Sequence, residues 1–89
     1  MANKYLEITF RKGKPLAAYL YLSKNTGIKA VRTEQAAPGL IVDYDESDKP
    51  VGLEIVSPMQ VTASEINDVL SMLSIAPVSD AELSPLKAA

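Results

Sequence analysis

Residues 40–56, LIVDYDESDKPVGLEIV, constrain the fold of this chain more than any other stretch. Leu40, Val42 and Tyr44 alternate with Ile41 and Asp43. After a polar turn, Val51, Leu53 and Ile55 alternate with Gly52 and Glu54. Period-2 alternation in short runs rich in branched residues specifies strands with one buried face. The intervening Glu46, Ser47, Asp48 and Lys49 allow only a direct return. Two registers keep the apolar sets on one face. One pairs Val42 with Ile55 and sets Asp43 against Glu54, a like-charge contact that destabilises. The other pairs Val42 with Leu53 and sets Asp43 against Gly52. The second is expected, and it leaves Pro50 at the mouth of the turn, where a missing N–H costs least.

The segments before this hairpin repeat the pattern. In residues 5–10 Leu6, Ile8 and Phe10 share one face and Tyr5, Glu7 and Thr9 the other. Gly13 and Pro15 mark a turn within RKGKP. Over residues 16–22, Leu16, Ala18, Leu20 and Leu22 oppose Ala17, Tyr19 and Tyr21. A turn over 23–27 follows, with Asn25 or Gly27 suited to positive φ. Residues 28–34 read as a third, weaker strand, residues 35–39 as a link, and Pro38-Gly39 as a break.

Beyond the hairpin the period changes. Thr62-Ala63-Ser64-Glu65 is a capping-box signature. Ile66, Val69, Leu70 and Leu73 follow at i, i+3, i+4 and i+7, one face of a helix over about 63–73. Pro77 stops it. Ser79-Asp80-Ala81-Glu82 repeats the capping spacing and predicts a short turn before Pro85. Strands first and a helix last give an α+β class: an antiparallel sheet of four to five strands with one C-terminal helix on one face. A single domain is expected over 1–89, with the sheet at about 4–56 and a tail at 74–89.

Composition removes several function classes from the expectation. The 89 residues include no cysteine and no histidine. That leaves no disulfide, thiol nucleophile, imidazole base or usual zinc ligand set. Only carboxylates, Lys and Tyr remain for catalysis, and no nucleophile elbow or phosphate loop is present. No enzyme activity, metal or cofactor is expected. Net charge is −2, which weighs against phosphate-backbone binding. No apolar run approaches the roughly 20 residues of a membrane span. The first four residues lead straight into a strand pattern, not a secretory leader. Cytoplasmic location is the default expectation. At 47% hydrophobic, the chain is not disordered. A chain this short buries roughly 60–65% of its unfolded surface, so a partner surface would add stability.

Residues 39–56, with the Tyr-rich AYLYLS strand at 18–23, resemble the domain-of-unknown-function family numbered 2283. The resemblance covers about residues 18–56 and implies a small bacterial α+β protein with no assigned activity. It also implies, from members set beside small ribonuclease-type toxins, an antitoxin-like role. The basic RKGKP turn departs from the more often acidic turn of that family.

Three features are candidate sites. Asp43, Asp45, Ser47 and Glu54 stand at positions 1, 3, 5 and 12 of a calcium-loop spacing. Asp48 at the position such loops fill with glycine, and the flanking strands, argue for a solvated turn instead. Arg11, Lys12 and Lys14 form a basic turn that could touch nucleic-acid phosphate, with Tyr19 and Tyr21 as stacking platforms. A charged loop that keeps a sheet edge soluble is the expected alternative. Tyr5, Tyr19 and Tyr21 fall on the sheet face that a single helix cannot cover. Tyrosine combines a large apolar body with a polar tip and is enriched at interfaces. A protein interface is expected there, most simply a two-fold homodimer.

Overall fold

In the computed structural model, which describes residues 5–23 and 29–87, Val42 pairs with Leu53 and Asp43 with Gly52. This is the register that keeps Asp43 away from Glu54. The strands are β1 (Tyr5–Arg11), β2 (Lys14–Tyr21), β3 (Arg32–Ala37), β4 (Leu40–Tyr44) and β5 (Pro50–Ile55). They form one antiparallel sheet in the order β1-β2-β5-β4-β3. A 3₁₀ turn, Pro58–Gln60, leads to α1 (Ala63–Met72), then α2 (Asp80–Leu83) and a final 3₁₀ turn, Ser84–Lys87. The expected α+β class is observed.

Parity along the strands separates the two faces. Ala18, Leu20, Leu40, Val42, Leu53 and Ile55 are buried on one face and meet Ile66, Val69 and Leu70 of α1. Val78, Leu83 and Leu86 of the C-terminal segment complete this core. Fully burying a side chain of Leu or Ile size contributes about 1.5–3 kcal/mol. The alternation read from the hairpin is therefore what attaches the helix to the sheet.

The start of α1 is closed as its sequence predicts. The Thr62 hydroxyl accepts the Glu65 N–H at 3.0 Å, and the Glu65 carboxylate accepts the Thr62 N–H at 2.8 Å. At the other end Ser74 takes positive φ (60°). The Ile75 N–H then reaches the Leu70 carbonyl at 2.8 Å and the Ser74 N–H the Ser71 carbonyl at 3.0 Å, a Schellman closure. Ser79 and Glu82 repeat the capping box at α2. Asn67 ties α1 to the segment before α2: its side chain donates to the Val78 carbonyl at 3.0 Å and accepts the Val78 N–H at 2.8 Å.

Three expectations need correction. Leu16 does not join the buried face and is 51% exposed. Thr9 pairs with Ala17 but Phe10 with Pro15, so Leu16 is an extra residue in a bulge. Pro15 in turn is a buried strand residue, not part of the turn. The turn is the pair Lys12 and Gly13, both at positive φ (53° and 79°), which matches the twist of a two-residue hairpin. Phe10 lies on the predicted face but at the sheet's margin, 51% exposed. The third strand is Arg32–Ala37, not residues 28–34. The tight Pro38-Gly39 turn, with Gly39 at φ 77°, forces the residues just before it to pair with β4. Position 28 and the turn expected over 23–27, apart from Ser23, lie outside the described residues. Among the described residues no helix is long and apolar enough to cross a membrane.

Candidate interaction face

The face turned away from α1 carries Tyr5, Glu7 and Thr9 from β1, then Ala17, Tyr19 and Tyr21 from β2. Register adds Gly52 and Glu54 from β5, and Ile41 and Asp43 from β4. The three tyrosines expected to share a face do so and touch. The Tyr5 and Tyr21 rings lie 5.5 Å apart, and Tyr19 meets Tyr21 edge-on at 4.8 Å. These are separations at which aromatic pairs attract. Tyr5 is 56% exposed; Tyr19 and Tyr21 are half-buried.

Each of the two β2 tyrosines is held by a carboxylate. The Tyr21 hydroxyl donates to Glu7 Oε1 at 3.0 Å. The Tyr19 hydroxyl donates to Asp43 Oδ2 at 2.7 Å, crossing the intervening β5 to do so. Gly52 makes this crossing possible. A Cβ at that position would overlap the Tyr19 hydroxyl and its ring carbon. Partial burial and the Asp43 carboxylate together push the Tyr19 phenol well above the ordinary tyrosine value. The hydrogen bond to Glu7 raises that of Tyr21. The two hydrogen bonds orient the phenols, which lowers the side-chain entropy to be lost on docking.

The charge next to the tyrosines is negative. Glu7 and Glu54 are exposed and Asp43 is half-buried. A shallow depression lined by Glu7, Thr9, Ala17, Tyr19 and Glu54 opens among them. The basic residues Arg11, Lys12 and Lys14 are exposed at the β1–β2 tip. Tyr19 and Tyr21 lie five and seven residues along β2 from Lys14, roughly 17–23 Å at about 3.3 Å per residue. The structure does not bring the basic turn and the tyrosines together.

The acidic hairpin residues serve separate purposes. Asp43 holds Tyr19, and Glu54 stands on the open face opposite Tyr19. Asp45 Oδ1 accepts the backbone N–H of Ser47 at 2.8 Å and of Lys49 at 3.0 Å, shaping the turn. Asp48, at φ 61°, pairs with Arg32 at 3.2 Å. Arg32 also reaches Glu34 at 3.2 Å and lies 4.0 Å over the Tyr44 ring, which pins β3 to the turn. Among the described residues no group of three or more acidic side chains is placed to hold a metal ion.

Residues 17–57 match the family described as a protein of unknown function, DUF2283. The chain is similar to the DUF2283 family over this segment, under half of its length. The match runs from the bulge in β2 to just past β5, so Tyr19, Tyr21, Asp43, Gly52 and Glu54 fall within it. Strand β1, with Tyr5 and Glu7, the basic tip and helix α1 fall outside it. No match was found among curated proteins or among solved structures.

Sequence reading found the tyrosines and missed what holds them. Gly52 was the available signal. A glycine inside a central strand weakens it unless another group approaches closely, and here that group is Tyr19.

Proposed function

We propose that this chain is a non-enzymatic protein-interaction module whose working surface is the open sheet face around Tyr5, Tyr19 and Tyr21. One observation carries the reading: an aromatic cluster, oriented by its own carboxylates, on the side away from the helices. Glu7, Asp43 and Glu54 select the partner's chemistry. Two such faces meeting squarely would bring like charges together, whereas a basic protein segment would not. Its Arg or Lys side chains would stack on tyrosine and pair with the carboxylates. For self-association of this chain we propose a different surface, the exposed edge of β1.

An antitoxin-like role is the specific form of this reading in which the basic partner is a nuclease. A nuclease handles a phosphate backbone and so presents a basic surface. Single-stranded nucleic-acid binding has less support. The basic tip is distant from the tyrosines, and the tyrosines are flanked by carboxylates.

The test is a fluorescence-anisotropy titration with a labelled Arg- and Lys-rich peptide and a matched Glu-rich one. Saturable binding of the basic peptide is expected, weakened about tenfold or more by Tyr19→Ala, a loss of at least about 1.4 kcal/mol. That substitution leaves net charge unchanged. Equal affinity in Tyr19→Ala would reduce the effect to bulk charge and overturn the reading.

A further inference from the structure

The two edges of the sheet are built differently. In β3, Gln35 pairs with Ile41 and Ala37 with Leu40, so Ala36 is a bulge residue in the edge strand itself. On the helix side that strand carries charges: Arg32 opposite Tyr44 and Glu34 opposite Val42. Bulges and inward-facing charges are the usual means of blocking edge-to-edge pairing. Strand β1 has neither. Its bulge belongs to the neighbouring β2, at Leu16, and leaves β1 regular from Tyr5 to Arg11. Its helix-side residues are Leu6, Ile8 and Phe10. Leu6 and Ile8 are only partly buried against the core, and Phe10 is 51% exposed. The strand contains no proline and no charge on that side.

We propose that β1 pairs antiparallel with the β1 of a second copy, about a two-fold axis at Ile8. A two-fold axis perpendicular to the sheet preserves its faces, so only residues of like parity can stand opposite one another. With the axis at Ile8, Leu6 meets Phe10 of the other copy and covers its exposed ring. Tyr5 meets Arg11, placing a guanidinium beside an aromatic ring. Glu7 meets Thr9, with two diagonal neighbours in the other copy, Arg11 within reach of an ion pair and Glu7. An axis at Glu7 would oppose Glu7 to itself. An axis at Thr9 would leave Tyr5 and Leu6 facing the hairpin turn. The Ile8 register alone uses all seven residues, matches the apolar side chains and sets no like charges directly opposite one another.

Such pairing doubles the sheet. It keeps every helix on one side and sets two tyrosine clusters side by side on the other. A partner with two basic segments would meet both clusters at once. The dimer itself stands on the edge geometry and not on the function proposed for the face.

Sedimentation across the micromolar range, with single-cysteine variants of this cysteine-free chain, tests the pairing. The wild type is expected to dimerise, with association weakened at least tenfold by Phe10→Lys. Because Phe10 is half exposed, that variant should keep its far-UV circular dichroism. Glu7→Cys mixed with Thr9→Cys should cross-link on mild oxidation more than either variant alone, since those residues stand opposite one another. A monomeric wild type would overturn the proposal. So would a dimer that survives Phe10→Lys but is lost in Tyr19→Glu, which would place the contact on the open face. Stronger cross-linking of Glu7→Cys alone, or of Thr9→Cys alone, would overturn the Ile8 register. Failure of the basic peptide to bind, with these results intact, would refute the function of the face and leave the dimer standing.

Discussion

Tyr19 and Asp43 stand on strands separated by β5, yet the phenol hydroxyl donates to the carboxylate at 2.7 Å. The ring reaches across Gly52, where an added side chain would collide with it. The contact is a strap over the centre of the sheet, tying β2 to β4 on the face opposite the core.

Gly52→Ala should break this strap. The added methyl would displace Tyr19 and separate its hydroxyl from Asp43. Overpacking of this kind costs about 1–3 kcal/mol. In a Tyr19→Ala background the same substitution should cost much less, because the obstructed ring is gone. Urea midpoints for the four chains of the double-mutant cycle measure the coupling. Strictly additive effects would mean that the ring does not rest on Gly52.

The strap also makes stability depend on pH in the alkaline range. The Tyr19 phenol is raised above its ordinary value of 10.0, first by burial and then by Asp43. The folded state therefore keeps a proton that the unfolded chain gives up above about pH 10. This contribution is constant at lower pH and declines as pH rises past about 10. Tyr21 shifts in the same direction, so the decline has two sources. Tyr19→Phe should cost about 1 kcal/mol at neutral pH and flatten part of the alkaline fall. Denaturant midpoints followed from neutral to alkaline pH check both. An unchanged slope in Tyr19→Phe would assign the fall elsewhere.

Leu53 is fully buried at the centre of the sheet, paired with Val42 and Leu20. Leu53→Ala should destabilise by about 2–5 kcal/mol through lost transfer energy and the cavity left behind. That is a large share of the stability of a small fold. A midpoint shift worth less than about 0.5 kcal/mol at constant m would contradict the packing.

Asn67 fastens the C-terminal segment through two hydrogen bonds to Val78. Removing them with Asn67→Ala should cost about 1–3 kcal/mol, since the Val78 groups lose their partner. The loss should be local at first. Amide exchange should quicken in 78–86, at the residues beyond the clamp, more than in the sheet. Uniform quickening across the sheet would show that the segment is not separately fastened.

How much of this was legible in the residues depended on the range of each interaction. Alternation around Val42 and Leu53 fixed the buried face, because a one-residue slip would expose the whole apolar set, and the like charges of Asp43 and Glu54 chose between the two registers that remained. Thr62 and Glu65 announced the helix start, because a capping box is complete within four residues. The bulge at Leu16 was hidden. Nothing near Leu16 distinguishes it from Ala18, and only the pairing with β1 ejects it. The start of β3 was set by its partner strand rather than by its own weak pattern. The tyrosine cluster was legible by parity alone. Its carboxylate supports were not, since Asp43 lies twenty-four residues from Tyr19. Gly52 marked a close approach without naming the ring that makes it. The Asn67 clamp joins residues eleven positions apart and leaves no local signature.

The most direct test of the open face as a binding surface is amide and side-chain shift mapping by NMR during titration with the basic peptide. The expected result is a saturating set of shifts at Glu7, Tyr19, Tyr21, Asp43 and Glu54, with Ile66, Val69 and Leu70 unmoved. Shifts confined to the helix side, or to Arg11, Lys12 and Lys14 at the hairpin tip, would contradict it.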